Sequence, residues 1–193
     1  MLDAEVVRGI LQYFVVPVWI AAGFADWLCH RVTRIEKTSG SKESVLHLVM
    51  LAELGIPVCV ALLLEINALI LAFLIGAFVL HQLTALWDLR RAVGVRYISP
   101  IEQQVHSFLE LMPLCAALLI VILHWPQFLA LFGLGNEAAD FSIRLKGAPL
   151  SWRYVIGVLG AVALFNLAPY LEELVRCWVA LRYSGESQLA RSR

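Results

Sequence analysis

The sequence predicts an all-α integral membrane bundle of about five transmembrane helices, with the N-terminus outside and the C-terminus cytoplasmic. Composition, the spacing of apolar runs and the placement of basic residues all lead there. Hydrophobic residues make up 61% of the 193 residues and charged residues 16%. A soluble domain is nearer about 45–50% apolar and about 25% charged, so this chain suits lipid as its solvent. Five stretches approach the roughly 20 apolar residues that a spanning helix needs: residues 6–29, 44–64, 68–87, 105–124 and 154–181. With five spans, 11 of the 15 Lys and Arg residues fall on one side, among them Arg31, Arg34, Lys37, Lys42, Arg90, Arg91, Arg96, Arg191 and Arg193. Arg8, Arg144, Lys146 and Arg153 are left on the other. The positive-inside rule makes the richer side cytoplasmic, and the location expected is a bacterial inner membrane.

The first span follows Met-Leu-Asp-Ala-Glu, with Arg8 as the only early positive charge. A cleaved signal opens with a basic region and ends at a small-x-small site, so this run is expected to stay as a helix. Residues 30–42 are expected to form a polar loop, Glu65-Ile66-Asn67 a tight turn capped by Glu65, and residues 90–100 a short basic loop. Ser99, Pro100 and Glu102 have the spacing of an N-cap, a first-turn proline and a capping box for the fourth helix. The longest connection, residues 125–152, contains Phe128-Leu129-Ala130-Leu131-Phe132 and is expected to be interfacial or re-entrant. Trp27, Trp87, Trp152 and Trp178 stand near span ends, as an aromatic belt does. Gly157 and Ala161 have a small-x-x-x-small spacing suited to close helix packing.

Zero formal net charge and the lack of a long basic block argue against a nucleic-acid partner. The four cysteines form no C-x-x-C pair and read as reduced packing residues.

The informative residues are ionisable ones inside or beside the spans, where each costs roughly 2.5–3.5 kcal/mol on insertion scales. One device recurs on four helices. Asp26 and His30 are four apart, as are Glu43 and His47. His81 and Asp88 are seven apart, and Glu102, His106 and Glu110 are spaced by four. Such spacings place side chains on one helix face. Four of the five histidines thus fall near the same end, the exception being His124, which reads as interfacial beside Trp125.

Carboxylate with imidazole is the ligand set of a carboxylate-bridged metal pair, which helical bundles build from inward-facing residues. Asp26, His30, Glu43, His47, His81, Asp88, Glu102 and His106 are therefore the candidate metal ligands. Two iron ions are the expected cofactor, with zinc or manganese as alternatives and haem b as a further one. Glu110 and Glu53 are the candidate catalytic carboxylates. The spacing is Glu-x-x-x-His, not the Glu-x-x-His of ferritin-like bundles, and no His-x-x-His-His box is present. Glu172 and Glu173 are expected to pair with Arg176. Arg90, Arg91 and Arg96 carry the positive-inside signal, with anionic headgroup docking as the functional alternative.

These residues point to a membrane oxidoreductase acting on a lipid-soluble substrate, by hydroxylation, desaturation or quinol oxidation. Membrane lipids would surround it. An electron-donor protein would serve it, because no nucleotide or Fe–S motif is present. A zinc-dependent intramembrane hydrolase, a haem b protein and a metal-ion or proton carrier are the alternatives.

Overall fold

The computed structural model describes residues 3–191, with side chains described through Tyr183. Arg193 and the side chain of Arg191, counted above for orientation, lie outside that description. The described chain is helical, without strands, and five helices are long and apolar enough to span a membrane.

We label the helices in chain order: α1 Ala4–Val32, α2 Ser41–Leu63, α3 Ala68–Val93, α4 Pro100–Leu123, the short α5 Trp125–Ala130, and α6 Trp152–Tyr183, whose backbone helix continues to Arg191. Every span extends beyond its apolar run at one end or both, although α2 and α4 stop one residue short at their C-terminal ends. The reason is chemical: polar residues at the ends of α1 and α3 find buried partners, so the helix continues through them. His30 belongs to α1 instead of the expected loop, and Arg90 and Arg91 lie on the last turn of α3.

Local chemistry sets the helix ends. Asn67 accepts from Ile70 N–H and caps α3. Ser99 accepts from Glu102 N–H at 3.2 Å and caps α4, with Pro100 in its first turn. The capping box is half formed, because the Glu102 carboxylate turns to Arg96. Both α1 and α6 contain a π-helical turn, Leu11–Val15 and Ala163–Leu167. Pro17 and Pro169 follow these turns at once. A proline cannot donate to the turn before it, and a widened turn is one accommodation.

α1 packs against α4 and α6, α2 against α3 and α6, and α3 against α4. α1 and α6 pack tightly at Gly23, where a Cβ would stand 2.1 Å from Asn166 Nδ2. A side chain there would displace Asn166 from its contact with α1. Asn166, inside the second π turn, donates to Ile20 C=O at 3.2 Å. The outer faces are apolar, with Phe14, Val79, Leu83, Leu118, Ile156 and Leu164 exposed, as faces turned to lipid would be.

The bundle has two polar ends. At one, which we call the far end, the 124–151 connection folds over the α2–α3 turn. Leu64 and Leu145 form an isolated antiparallel bridge, Glu65 N–H donates to Arg144 C=O, and Asn67 Nδ2 to Ser142 C=O. Glu65 accepts from Gly147 N–H and pairs with Arg144, which ties the connection to the turn. Phe128 packs between Trp125 and Phe132. All four cysteines are free.

Candidate metal centre

The other end holds the site. Asp26 and His30 come from the last turns of α1, Glu43, Ser44 and His47 from the first turns of α2, and Asp88 from the end of α3. Glu102 and His106 come from the start of α4, and Glu173 from α6. Asp26, His30, Glu43, His47, Asp88, Glu102 and Glu173 are all buried.

Glu173 organises the layer. One of its oxygens lies 3.1 Å from His30 Nδ1 and the other 2.9 Å from His47 Nδ1. The two imidazoles stack, with centroids 4.4 Å apart and planes 7° from parallel. Both Nε2 atoms are left without a hydrogen-bond partner among the described residues. Each nevertheless faces carboxylates: His30 Nε2 stands 3.5 Å from Asp26 and 3.4 Å from Glu102, and His47 Nε2 stands 3.6 Å from Asp88. Asp88 Oδ1 and Ser44 Oγ are also buried without partners.

His106 Nε2 contacts Asp26 Oδ1 at 2.9 Å. The Tyr170 hydroxyl lies 3.1 Å from Asp26 Oδ2 and 3.2 Å from Gly23 C=O, so its one proton reaches either. Asp26, His30 and His106 bring ligand atoms within 4.8 Å of one another, and so do His30, Glu43 and His47. His30 belongs to both sets.

Arg96 closes the layer from the α3–α4 loop. It donates to Glu43 Oε1 at 2.6 and 3.1 Å, and to both oxygens of Glu102 at 2.5 and 3.0 Å. Burial opposes its charge, but the two carboxylates more than offset this and hold the guanidinium above its ordinary value. Arg96 was expected on a basic surface or a headgroup patch; its side chain is 2% exposed. The correction has a sequence correlate: Arg96 is six residues before Glu102, across the capped start of α4.

The structure rearranges the candidate set. Asp26, His30, Glu43, His47 and His106 converge as the four-residue spacing suggested, and Asp88 joins them through His47. Glu102 joins the layer, but both its oxygens are committed to Arg96. His81 stands apart. Seven residues on a helix rise about 10 Å, so His81 is two turns deeper than Asp88. It meets Glu53 on α2, with Nδ1 3.7 Å from Oε2. Glu53 also accepts from the Thr84 hydroxyl at 2.8 Å, and Glu110 is exposed on α4.

Glu173 and Tyr170 were not legible as site residues. Glu172 does pair with Arg176, at 3.2 Å, and also with Arg31 and Trp27. Glu173 was expected to share that pairing. Successive helix positions point about 100° apart, so it faces inward where Glu172 faces out. His124 lies at the far end, and burial, followed by the charges of Lys146 and Arg8, holds its imidazole below its ordinary value.

An apolar cavity of about 240 Å³ opens beside the layer. Asp26, His47, Asp88 and His106 reach it from the cluster, while Val16, Ile20, Leu51, Leu54, Val58 and Leu109 give it apolar walls. Its floor thus carries ionisable side chains and its walls are apolar.

No protein-family model, curated protein or solved structure matches this chain.

Proposed function

We propose that this membrane bundle is a metal-dependent oxidoreductase, with two metal ions held by the histidine and carboxylate layer and a lipid-soluble substrate held in the adjoining cavity. The observation that carries this reading is the pair His30 and His47, both fixed at Nδ1 by Glu173 and both unpartnered at Nε2. A carboxylate on one imidazole nitrogen, with the other left free, is the arrangement that orients metal-binding histidines. If Nδ1–H donates to Glu173, each Nε2 faces carboxylate oxygens. Two acceptors face to face need a cation or a proton between them, and a metal ion is the cation this ligand set suits.

Charge leads to the same place. Five carboxylates are buried here, Asp26, Glu43, Asp88, Glu102 and Glu173, against one guanidinium, Arg96. With these six ionised and the three imidazoles neutral, four negative charges remain uncompensated, and buried charge is tolerated only when paired. Two divalent cations would balance them.

His30, His47, His106, Asp26 and Asp88 would be the ligands, with Glu43 offering its remaining oxygen. Glu173 would set both tautomers, and Arg96 would hold the Glu43 and Glu102 carboxylates. Iron is the metal that fits an oxidoreductase, because a bound pair would supply the two-electron chemistry needed to activate dioxygen. The chain's own part is to hold the ligands, admit an apolar substrate and exclude bulk water. Electrons would come from a separate donor protein. The segregated basic residues favour the cytoplasmic side of a bacterial inner membrane for this end.

Elemental analysis and an absorption spectrum of the detergent-purified protein test the reading. About two irons per chain without a Soret band is the expected outcome. Zinc alone would move the assignment to lipid hydrolysis, with Glu110 as the base at the cavity wall. A Soret band would move it to haem b. A metal-free, colourless and stable protein would overturn the metal centre and make the layer a protonated hydrogen-bond network.

A further inference from the structure

We infer that the cavity binds its apolar ligand through a hydroxyl group, and that the Glu53–His81 pair is where that hydroxyl sits. This rests on the cavity being the substrate pocket of the proposed centre, and it narrows the substrate class to a lipid-soluble alcohol or phenol.

His81 is outside the metal-ligand groups, yet its ring forms part of the wall of the same cavity. It is 6% exposed and makes no hydrogen bond among the described residues; its Nδ1 and Glu53 Oε2 are both sealed and unpartnered. Structural histidines in a lipid-facing bundle normally find a partner, because an unmet buried polar group is costly. Glu53 accepts through Oε1 from the Thr84 hydroxyl, one turn from His81 on α3, and its second oxygen stands 3.7 Å from His81 Nδ1. That gap is just beyond a hydrogen bond, and contacts of this kind tighten when the ligand arrives.

The arrangement is a carboxylate–imidazole pair. Once that gap tightens, Glu53 would hold the proton on Nδ1 and leave Nε2 a lone pair for a donor in the cavity. An O–H group meets that need and an alkane does not. The cavity also touches Asp26, Asp88 and His106. A hydroxyl held by His81 therefore lies in the same cavity as those groups, about two helical turns from Asp88.

The test uses full-length protein in nanodiscs with tritiated 1-dodecanol and tritiated dodecane, retention being measured over empty nanodiscs. The wild type should favour the alcohol by about tenfold or more, the factor that corresponds to one satisfied buried polar group. His81→Phe should abolish that preference, bringing the ratio of alcohol to dodecane retention to about one. In protein labelled with ¹⁵N-histidine, the alcohol should shift the resonance that His81→Phe removes, and dodecane should not. Should His81→Phe fail to fold, Glu53→Gln decides, with a reduced preference for the alcohol expected. Equal retention of the two probes by the wild type, or an unchanged preference in a folded variant, would overturn the inference.

Metal content of the same samples separates this from the proposed function. Bound metal without alcohol preference overturns only the hydroxyl seat. Alcohol preference in a metal-free protein supports the seat and overturns the metal centre.

Discussion

At the far end of the bundle Arg144 reaches Glu65 and Asp140 with its side chain 58% exposed. At the site end Arg96 reaches Glu43 and Glu102 with 2% exposed. The residue types are the same and the physical situations are opposite. Around Arg144 water screens the charges, and the pair serves to fasten a loop. Around Arg96 there is no water to fall back on, so each carboxylate has to be matched by a positive group or a proton. The far end joins residues 63–69 to 140–146 with backbone hydrogen bonds and leaves only the Ser142 hydroxyl buried without a partner among its described residues. The site end leaves titratable groups over: His30 Nε2, His47 Nε2 and Asp88 Oδ1. Charge at a helix end is therefore uninformative until its burial is known, and buried unmet polarity is what separates a site from a surface.

Breaking the guanidinium contact should expose the difference most sharply. Arg96→Ala leaves Glu43 and Glu102 buried without their cation, and truncating one partner of a buried pair costs about 3–5 kcal/mol. The expected result is a large fall in the thermal midpoint of the purified protein. A loss no larger than that of a surface substitution would mean that water reaches the layer.

Glu173→Gln should have a smaller and more specific effect. The amide keeps the volume, but it has one acceptor oxygen where the carboxylate offers two, so it cannot accept from both His30 and His47. Loss of such an orienting group typically weakens metal affinity about 10–100-fold. Competition with a chelator would measure it, and helicity should be retained. Wild-type affinity in this variant would remove Glu173 from the centre.

Arg144→Ala should change least. Exposed ion pairs contribute about 0–1 kcal/mol, so the midpoint should move little and metal content not at all. A large destabilisation would show that the 124–151 connection holds the bundle together and is not merely laid across it.

Much of this architecture could be read from residue order. The five apolar runs needed only counting, and the Ser99 cap was visible in Ser99, Pro100 and Glu102. The Asp26/His30 and Glu43/His47 pairs share a helix face by spacing alone, and the structure brings both into one layer. Glu173 was harder, because its neighbour Glu172 offered a simpler partnership with Arg176. Arg96 was hidden by its company, since Arg90 and Arg91 beside it are ordinary basic residues. His81 was placed on the correct face of α3 and at the wrong depth for the cluster.

The sequence by itself determined the solvent, the number of spans and which end of each helix carries carboxylates and imidazoles, because hydrophobicity and helical period are local properties. Tertiary structure alone decided which of those groups meet. Whether a carboxylate is a ligand, a partner of Arg96 or a brace behind His81 depends on helix rotation and depth, and these are set by contacts between residues as far apart as Gly23 and Asn166. His30 and His47 are left unpartnered at Nε2 while Glu173, 143 and 126 residues away in the chain, meets their Nδ1 atoms.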